Sequence, residues 1–432
     1  MTNTYTSFSG KFRDKYGTRV ENTLPDGTPL CDDVAFVGSS QKVGAKLIQP
    51  VLLSFEHGIT YSAADNGAFA LNDAVAAIHK PAEVVGAQIA IQSAVAIEVL
   101  ARGLADDRVV GDDPMADILR NMKNSIAKHV EMTHLWGGTS RLTSGWGVVS
   151  AISGTSTTRA LTIKLSSWAP AIWSGAKSMP IALYDNDGSG GIPSSGLAGH
   201  SSNALTISSV DLPNRKLNVT GDATELSAVD TAVAAGDVYV YPKGAKGAQW
   251  VGLNEISTNT GTLFAVDGAT YEQFQGNTHS LSSAPLSLHE IVKGLDKAVG
   301  RGLEEDVVIY INHNSWTAVA MDQAALRKYD GSYSPSEFKN GAKSLKFYHQ
   351  SGEVMVKTHK YMKEGYAMAF PKKALKRVGA QDITFKVPDM EGEEFLYHLP
   401  SNMGMGLRAY TFQGLFSSTP SRLVMYDGIV NA

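Results

Sequence analysis

The sequence predicts an α+β protein made of several packed units, and three observations support this fold class. Residues 114–137 carry apolar side chains at the spacing of one long helix, residues 141–250 contain short alternating apolar segments, and residues 285–380 mix the two patterns. A chain of 432 residues is also too long for one compact core. We therefore expect two or three packed units.

The first 92 residues predict an extended arm followed by a long hairpin. Residues 1–44 are polar and irregular, residues 47–61 read as a strand with a proline, residues 62–73 as a flexible tip, and residues 84–91 as a return strand. Arms of about 15 residues give the hairpin a reach of roughly 50 Å. A two-stranded ribbon is marginally stable in water, so it needs a neighbouring surface. Spacing alone favours a surface on its own domain.

The clearest helix in the sequence follows a short predicted helix at residues 93–103. Asp113 is a good N-cap, Pro114 suits the first helical position, and Gly137-Gly138 ends the pattern. About 24 residues make a rod of roughly 35 Å, which needs a sheet or helix along its apolar stripe. That stripe consists of Met115, Ile118, Leu119, Met122, Ile126 and Val130.

Residues 141–250 predict a small all-β insertion, either a barrel or a sandwich. Alternating apolar segments recur at 161–163, 205–207 and 238–241, and clusters of turn-forming residues separate them.

The remaining sequence predicts mixed elements and then strands. The last 50 residues are strand-like, including 383–385 and 407–416. The elements expected before them are a helix capped by Ser287 and Glu290, a buried central strand at 307–311, a helix capped by Asn314, a hairpin at 345–356 turning at Ser351-Gly352, a strand at 366–370, and a short helix from Pro371 to Gly379.

Composition excludes several classes of protein. The net charge is −4, from 38 basic and 42 acidic residues, so no basic stripe for nucleic acid is present. The nearest candidate, Lys372, Lys373, Lys376 and Arg377, reads as a solvent-facing helix. The single cysteine, Cys31, cannot form a disulfide framework or a cysteine zinc site. Neither a signal sequence nor a membrane-spanning apolar run is found, so we expect a reducing cytoplasm.

The motifs that would carry catalysis are weak. His129, Glu131 and His134 resemble a zinc helix, but histidines five residues apart lie about 140° apart around a helix. Residues 185–188 match the start of a calcium loop without its later Glu, and residues 391–394 read as a solvated acidic loop.

Two residue types are expected to have structural and not functional roles. The first is the histidines without a diagnostic nucleophile spacing, namely His57, His79, His289, His313, His359 and His398. The second is the tryptophans in apolar contexts, expected in the core, namely Trp136, Trp168, Trp173 and Trp250. The sequence therefore predicts no catalytic, cofactor-binding or metal-binding residues.

Several stretches, taken in order, resemble the major capsid proteins of tailed bacteriophages, which share the Hong Kong 97-type fold. The resemblance covers most of the chain and depends on order and spacing more than on one motif. The stretches are residues 43–50 with 56–61, residues 79–89, the long helix with Glu131 and its close at 135–138, residues 167–175, residues 325–330 and residues 407–410.

The resemblance implies a role for each part of the chain. It replaces the expectation that the hairpin folds back on its own domain, and it leaves the placement of the β insertion open. The implied parts are an N-terminal arm lying across a neighbouring subunit (1–44), an extended hairpin loop reaching over the next subunit (45–92), a peripheral domain with the spine helix (93–140), the inserted β domain (141–250), an axial domain at the local five-fold and six-fold axes (251–380), and a return to the peripheral domain (381–432).

The implied function is self-assembly without catalysis. The chain would form hexamers and pentamers, and these an icosahedral shell enclosing the double-stranded DNA genome without reading its sequence. Its partners would be further copies of itself, a separate scaffolding protein, the portal and, as an option, a decoration protein, with no membrane. It would be made in the host bacterial cytoplasm and act in the virion capsid. No Lys–Asn cross-link can be assigned.

Two other functions stay open on the residues alone. One is a soluble β-rich carbohydrate-active enzyme, which would place paired acids in a deep cleft of a monomer or small oligomer. The other is a different phage structural component, such as a tail tube or decoration protein.

Overall fold

The computed structural model describes residues 24, 27–36, 46–64, 67–98, 114–138, 145–155, 157–186, 193–200, 205–321, 344–386, 396–399 and 403–431. The chain divides into two compact units. One combines the described parts of residues 1–27, 89–128 and 383–411, and the other combines those of residues 28–88, 129–382 and 412–432. Neither unit is a continuous stretch of sequence. None of the helices in these ranges has the length and apolarity needed to cross a membrane.

The described helices and strands mix throughout the chain, as expected for an α+β protein. The α-helices are α1 (Pro29–Asp33), α2 (Pro114–Trp136), α3 (Pro170–Trp173), α4 (Ala223–Ala235), α5 (Leu253–Ser257), α6 (Leu288–Val299) and α7 (His313–Met321). The strands are β1 (Leu47–Ser54), β2 (Ile78–Val84), β3 (Ala87–Ala96), β4 (Gly147–Thr155), β5 (Thr158–Ile163), β6 (Pro180–Asn186), β7 (Pro193–Ala198), β8 (Leu205–Asp211), β9 (Lys216–Thr220), β10 (Val238–Pro242), β11 (Thr262–Leu263), β12 (Val266–Asp267), β13 (Asn277–Ser280), β14 (Val307–Ile311), β15 (Ser344–His349), β16 (Gly352–Thr358), β17 (Ala367–Pro371), β18 (Leu375–Thr384), β19 (Leu396–His398), β20 (Gly404–Ser417) and β21 (Val424–Asp427).

Helix α2 begins and ends where the local sequence predicts. It starts at Pro114 and runs for 23 residues, and its last turn is fully buried. The glycines that follow are required by close packing, because a side chain at Gly137 would lie 2.3 Å from the carbonyl oxygen of Thr133 and 2.5 Å from that of Trp250. The predicted helix boundary is therefore confirmed.

A six-stranded mixed sheet forms the core of the larger unit, with strand order β13-β21-β17-β14-β16-β15. Its central strand β14 is buried at every residue, as predicted from its continuous apolar run. Helix α6 packs on this sheet through Ile291 and Leu295, both 0% exposed. The predicted hairpin is also confirmed, since β15 pairs with β16 and His349 lies opposite Gly352.

Both predicted helix caps in this region can be compared with the structure. The Ser287 side chain accepts a hydrogen bond from the Glu290 N–H, so that cap is confirmed. The cap expected at Asn314 is wrong by two residues, because the Asn312 side chain accepts the N–H of Asn314 at 2.9 Å.

The strands between residues 147 and 242 form a closed barrel. The strand order in the ring is β10-β4-β5-β9-β8-β6, and pairing of β10 with β6 closes it. Strand β7 pairs with β6 and is not part of the ring. The region is not all-β as predicted, because it contains the 13-residue helix α4, capped by the Asp222 side chain. This helix packs on β4 and β7 and buries Leu226 and Val229 completely. Those buried side chains give the helix its place beside the barrel.

Three other predicted elements differ from the structure in whole or in part. The return arm of the hairpin is β2, not residues 84–91, while β3 leaves the hairpin and pairs with β20. The helix expected at 93–103 starts later than predicted, because residues 93–96 belong to β3 and the helical assignment begins at residue 97, while the residues beyond 98 lie outside the described ranges. The helix expected from Pro371 is a single 3₁₀ turn, Lys372–Ala374, followed by strand β18.

Packing against a distant strand explains the last of these errors. Gly379, which the sequence suggested as a helix stop, is the point where β18 approaches β20. A side chain there would lie 2.1 Å from the Phe412 carbonyl oxygen. The glycine therefore permits a close strand contact.

Candidate assembly interface

The hairpin at residues 47–84, called the ribbon below, is longer than its assigned strands. Strands β1 and β2 pair antiparallel from Leu47↔Val84 to Ser54↔Ile78, with one irregularity before the last pair. The same register then continues, since the His57 N–H bonds the Val75 carbonyl at 3.1 Å. Nearer the tip, the Asn72 N–H donates a hydrogen bond to the Thr60 hydroxyl at 2.7 Å and so links the two arms of the ribbon. Arms of this length reach about 45 Å.

One face of the ribbon packs on the ribbon's own unit. Leu53, Ala82 and Val84 on this covered face are 8%, 0% and 4% exposed. The Glu83 N–H donates to the Phe264 carbonyl at 2.8 Å. The base of the ribbon is therefore held by both apolar contacts and a backbone hydrogen bond.

The other face of the ribbon is apolar and exposed. This open face carries Ile48, Pro50, Leu52 and Pro81, and Ile48 and Leu52 are 51% and 48% exposed. Ten of the sixteen large apolar side chains that are exposed in the described ranges lie between residues 48 and 85. Such a concentration indicates an interaction surface. The ten are Ile48, Leu52, Phe55, Ile59, Tyr61, Phe69, Leu71, Val75, Ile78 and Val85.

The larger unit also holds a short N-terminal segment, residues 28–36, called the anchor segment below. Its Leu30 and Val34 side chains are buried. The carboxylate of Glu131, from the last turns of α2, accepts the N–H of Leu30 at 2.6 Å and that of Cys31 at 3.1 Å. Helix α2 therefore caps the start of α1 from 100 residues away in sequence.

A histidine completes the surroundings of the buried Glu131. The Tyr361 N–H donates to Nδ1 of His359, so Nε2 carries the proton and donates to Glu131 at 2.8 Å. Burial acts to raise the pKa of Glu131, but the hydrogen bonds from His359 and from the anchor segment lower it below its ordinary value. Glu131 is thus an ionised acceptor for three donors.

A second carboxylate fixes the other end of the anchor segment. Asp33 accepts hydrogen bonds from the Tyr310 hydroxyl at 2.6 Å, from Lys372 at 2.6 Å and from Lys357 at 2.9 Å. Burial acts to raise the pKa of Asp33, but these three donors lower it below its ordinary value. The anchor segment is therefore held at both ends by charged hydrogen bonds.

The histidines of the zinc-like motif point to different partners. The ring of His129 lies 4.9 Å from that of Trp146, whereas His134 Nδ1 accepts the indole N–H of Trp250 at 3.0 Å. Burial and the nearby Arg377 lower the pKa of His134 to about 3, so its ring is neutral. In the described ranges, no three His, Cys, Asp or Glu side chains are placed to hold a metal ion.

The other candidate residues have structural surroundings where they are described. Burial raises the pKa of the Cys31 thiol, which disfavours the nucleophilic thiolate. The basic group is not a solvent-facing helix, because Arg377 is 5% exposed and donates to Gln413 and Asp382. Asp187 of the calcium-like loop and the acidic loop at 391–394 lie outside the described ranges. The four tryptophans expected in the core are buried, namely Trp136, Trp168, Trp173 and Trp250.

Sequence comparison finds no matching family model and no matching curated protein. Structural comparison does find similar chains. The chain aligns over 99% of its length with 99% of a chain in the Cyanophage A-1(L) capsid asymmetric unit, at a TM-score of 0.54 and 10% identity. It has the fold of a capsid chain.

A second solved structure supports this capsid-type fold. The chain aligns over its full length with the full length of a chain in the capsid of a native GTA particle computed with C5 symmetry, at a TM-score of 0.52 and 8% identity. Both alignments run from end to end of the chains. At 8–10% identity, what the chains share is the fold.

Proposed function

We propose that this chain is the major capsid protein of a tailed bacteriophage, with the Hong Kong 97-type fold. It assembles as hexamers and pentamers into an icosahedral shell that encloses double-stranded DNA. The observation that carries the proposal is the exposed apolar ribbon on a chain whose capsid-type fold extends over its whole length. A monomer leaves this surface in water, whereas a shell subunit covers it with a neighbour.

The physics of a shell suits a ribbon of this kind. Burial of apolar surface contributes about 25 cal/mol per Å², so several half-exposed side chains per copy supply a favourable contact of ordinary size. The ribbon adds this area without enlarging a domain core. Symmetry repeats the contact for every copy, and the many modest contacts together hold the shell.

The proposed shell parts follow the chain. Residues 1–44 act as the N-terminal arm and residues 45–92 as the extended loop. Residues 93–140 form a peripheral domain around the spine helix, and residues 381–432 return to it. Residues 251–380 form the axial domain at the five-fold and six-fold axes, and residues 141–250 form the inserted domain, which contains the barrel.

The proposed partners are further copies of the chain, a scaffolding protein, the portal and a decoration protein. The chain is made in the host bacterial cytoplasm and acts in the virion capsid without catalysing a reaction. Its net charge of −4 gives the shell a nearly neutral wall, which encloses DNA without gripping it.

Deletion of residues 62–73, the tip of the ribbon, tests this function. We expect the full chain, made in bacteria together with its scaffolding protein, to yield particles of megadalton size, and the deletion to yield only slowly sedimenting species. Leu212→Ser, a change at an exposed apolar side chain outside the ribbon, is the matched control and keeps assembly. Assembly that survives the tip deletion unchanged rules out the role assigned to the ribbon.

A further inference from the structure

Two prolines face each other in the middle of the ribbon. Pro50 of β1 lies directly opposite Pro81 of β2 in the antiparallel register. Proline has no backbone N–H, so these two residues cannot exchange hydrogen bonds across the ribbon. They form a non-hydrogen-bonded pair, and the pairs on either side of them are the hydrogen-bonded ones.

This pattern fixes which backbone groups point outward from the ribbon. In the antiparallel pattern, the N–H groups of Ile48 and Leu52 point away from β2, and those of His79 and Glu83 point away from β1. An independent contact agrees with this assignment, because the Glu83 N–H bonds the Phe264 carbonyl outside the ribbon.

Both edges of the ribbon are therefore poor templates for another strand. The central residue of each edge whose backbone faces outward is a proline, which lacks the N–H that an added strand would need as a hydrogen-bond donor. On β2 the outward N–H of Glu83 is already bonded. On β1 the outward donors of Ile48 and Leu52 are four residues apart, about 13 Å, instead of the usual two-residue spacing.

The open face has the opposite character. Its Ile48 and Leu52 side chains are about half exposed, and the two prolines lie between them. The carboxylate of Glu83 at its margin is paired with Lys46 at 2.6 Å. The face is thus mainly apolar, with its acidic group compensated and with His79 opposite Leu52 as a further polar side chain, so no uncompensated acidic group on it opposes a chain of net charge −4.

In the proposed shell the ribbon lies on a second copy of this chain, and we propose that it docks there by its open face, through side-chain packing and without strand addition. This inference rests on the proposed shell function. A second copy is the occupant because a symmetric assembly lets one chain supply both the ribbon and the surface that receives it. The similar GTA chain is part of a capsid computed with C5 symmetry.

Two pairs of substitutions separate the two docking modes. Ile48→Asn with Leu52→Asn makes the open face polar and leaves the edges unchanged. Pro50→Thr with Pro81→Thr restores an outward N–H on each edge and leaves Ile48 and Leu52 in place. Gln49→Thr on the covered face is the control for a change within β1.

The readout is the yield of fast-sedimenting particles from bacteria that express the full chain together with its scaffolding protein, with circular dichroism of each purified variant to confirm folding. We expect the Asn pair to lower the yield by about tenfold or more, because each copy loses buried apolar contacts. The Thr pair and Gln49→Thr are expected to keep the yield of the parent.

Each contrary result has a distinct meaning. If the folded Asn pair assembles like the parent, the open face is not the docking surface. If the Thr pair raises the yield of regular particles, strand addition at the edge is the mode, and the inference is overturned. If the parent chain, made together with its scaffolding protein, forms no particles, the proposed function fails, and the docking inference fails with it.

Discussion

Glu131 is the residue on which the anchor segment most depends. Its two carboxylate oxygens accept hydrogen bonds from Leu30, Cys31 and His359, and the side chain is 0% exposed. Removal of the carboxylate leaves three buried donors without this acceptor. A buried unpaired donor costs about 1–3 kcal/mol.

Glu131→Ala is therefore expected to destabilise the larger unit by about 3 kcal/mol or more. Glu131→Gln is expected to cost less, because one amide oxygen remains, although its NH₂ group faces a donor. The measurement is the free energy of unfolding in urea. Glu304→Ala, at an exposed acidic side chain, is the control and leaves stability unchanged. Equal stability of Glu131→Ala and the parent contradicts the capping role.

Asp33 gives the anchor segment a pH dependence. Its folded pKa lies below the ordinary value of 3.8, so the folded chain binds fewer protons at this site than the unfolded chain. The stability contributed by Asp33 is therefore present above about pH 4 and is lost as pH falls through the lowered pKa.

Asp33→Asn tests this dependence. At pH 7 we expect the variant to be about 1–3 kcal/mol less stable than the parent, because two lysines and Tyr310 lose a charged acceptor. The gap is expected to shrink between pH 5 and pH 3 as the parent loses the same charge. Urea unfolding at several pH values measures it. A gap that stays constant over this range contradicts the account.

The contacts of individual side chains were the features that the sequence predicted least well. It indicated Glu131 as part of a zinc-like motif and of the long helix that resembles the capsid family, and nothing local indicated its partner His359, which lies 228 residues away. Five-residue spacing did predict that His129 and His134 point apart, because that depends on helix geometry alone. Contacts between distant segments depend on the tertiary fold.

At the scale of single elements, the ribbon combines strand pairing with an exposed apolar face. Its register predicts two classes of backbone amide within one strand. The N–H groups of Gln49 and Val51 point toward β2, whereas those of Ile48 and Leu52 point outward.

Hydrogen exchange on the dissociated chain can resolve these classes. We expect the amides of Gln49 and Val51 to exchange roughly tenfold or more slowly than those of Ile48 and Leu52, since cross-strand bonds protect them. Residue-resolved exchange by NMR is the measurement, and neighbouring residues of one strand serve as mutual controls. Equal rates at all four positions contradict the register.

Elements with local signals could be predicted, and elements set by tertiary packing could not. Helix α2 carries its own proline start and glycine end, so its bounds follow from sequence. Strand β18 follows a proline and two lysines that suggest a helix, but its Gly379 packs against β20. Helix α4 was missed because the flanking barrel strands dominate the pattern around it.

At the scale of the whole molecule, the exposed apolar ribbon predicts that the proposed assembly is driven by apolar contacts. Exposed ion pairs are weakened by salt, whereas burial of apolar surface is not. The chain has similar numbers of basic and acidic residues, 38 and 42, so little net charge remains for long-range repulsion or attraction.

Particles of this protein are therefore expected to stay assembled when sodium chloride is raised from about 0.1 M, where screening extends over about 10 Å, to 1 M, where it extends over about 3 Å. The measurement is sedimentation of purified particles at both salt concentrations. The control is the same buffer exchange carried out without a change in salt concentration. Dissociation into subunits at 1 M salt contradicts an assembly held mainly by apolar contacts.

The overall fold class was predicted because several elements keep their order and spacing along the chain. That order led to the resemblance, and the end-to-end structural likeness at 8–10% identity agrees with it. The internal layout of the barrel and the anchor segment was not predicted, since both depend on pairings between residues far apart in sequence.

Electron cryo-microscopy of particles from bacteria that express the full chain together with its scaffolding protein tests the central claim most directly. We expect closed shells in which residues 47–84 of each copy lie across another copy, with Ile48 and Leu52 buried at that contact. Dispersed monomers, or shells in which each ribbon rests wholly on its own chain, would contradict it.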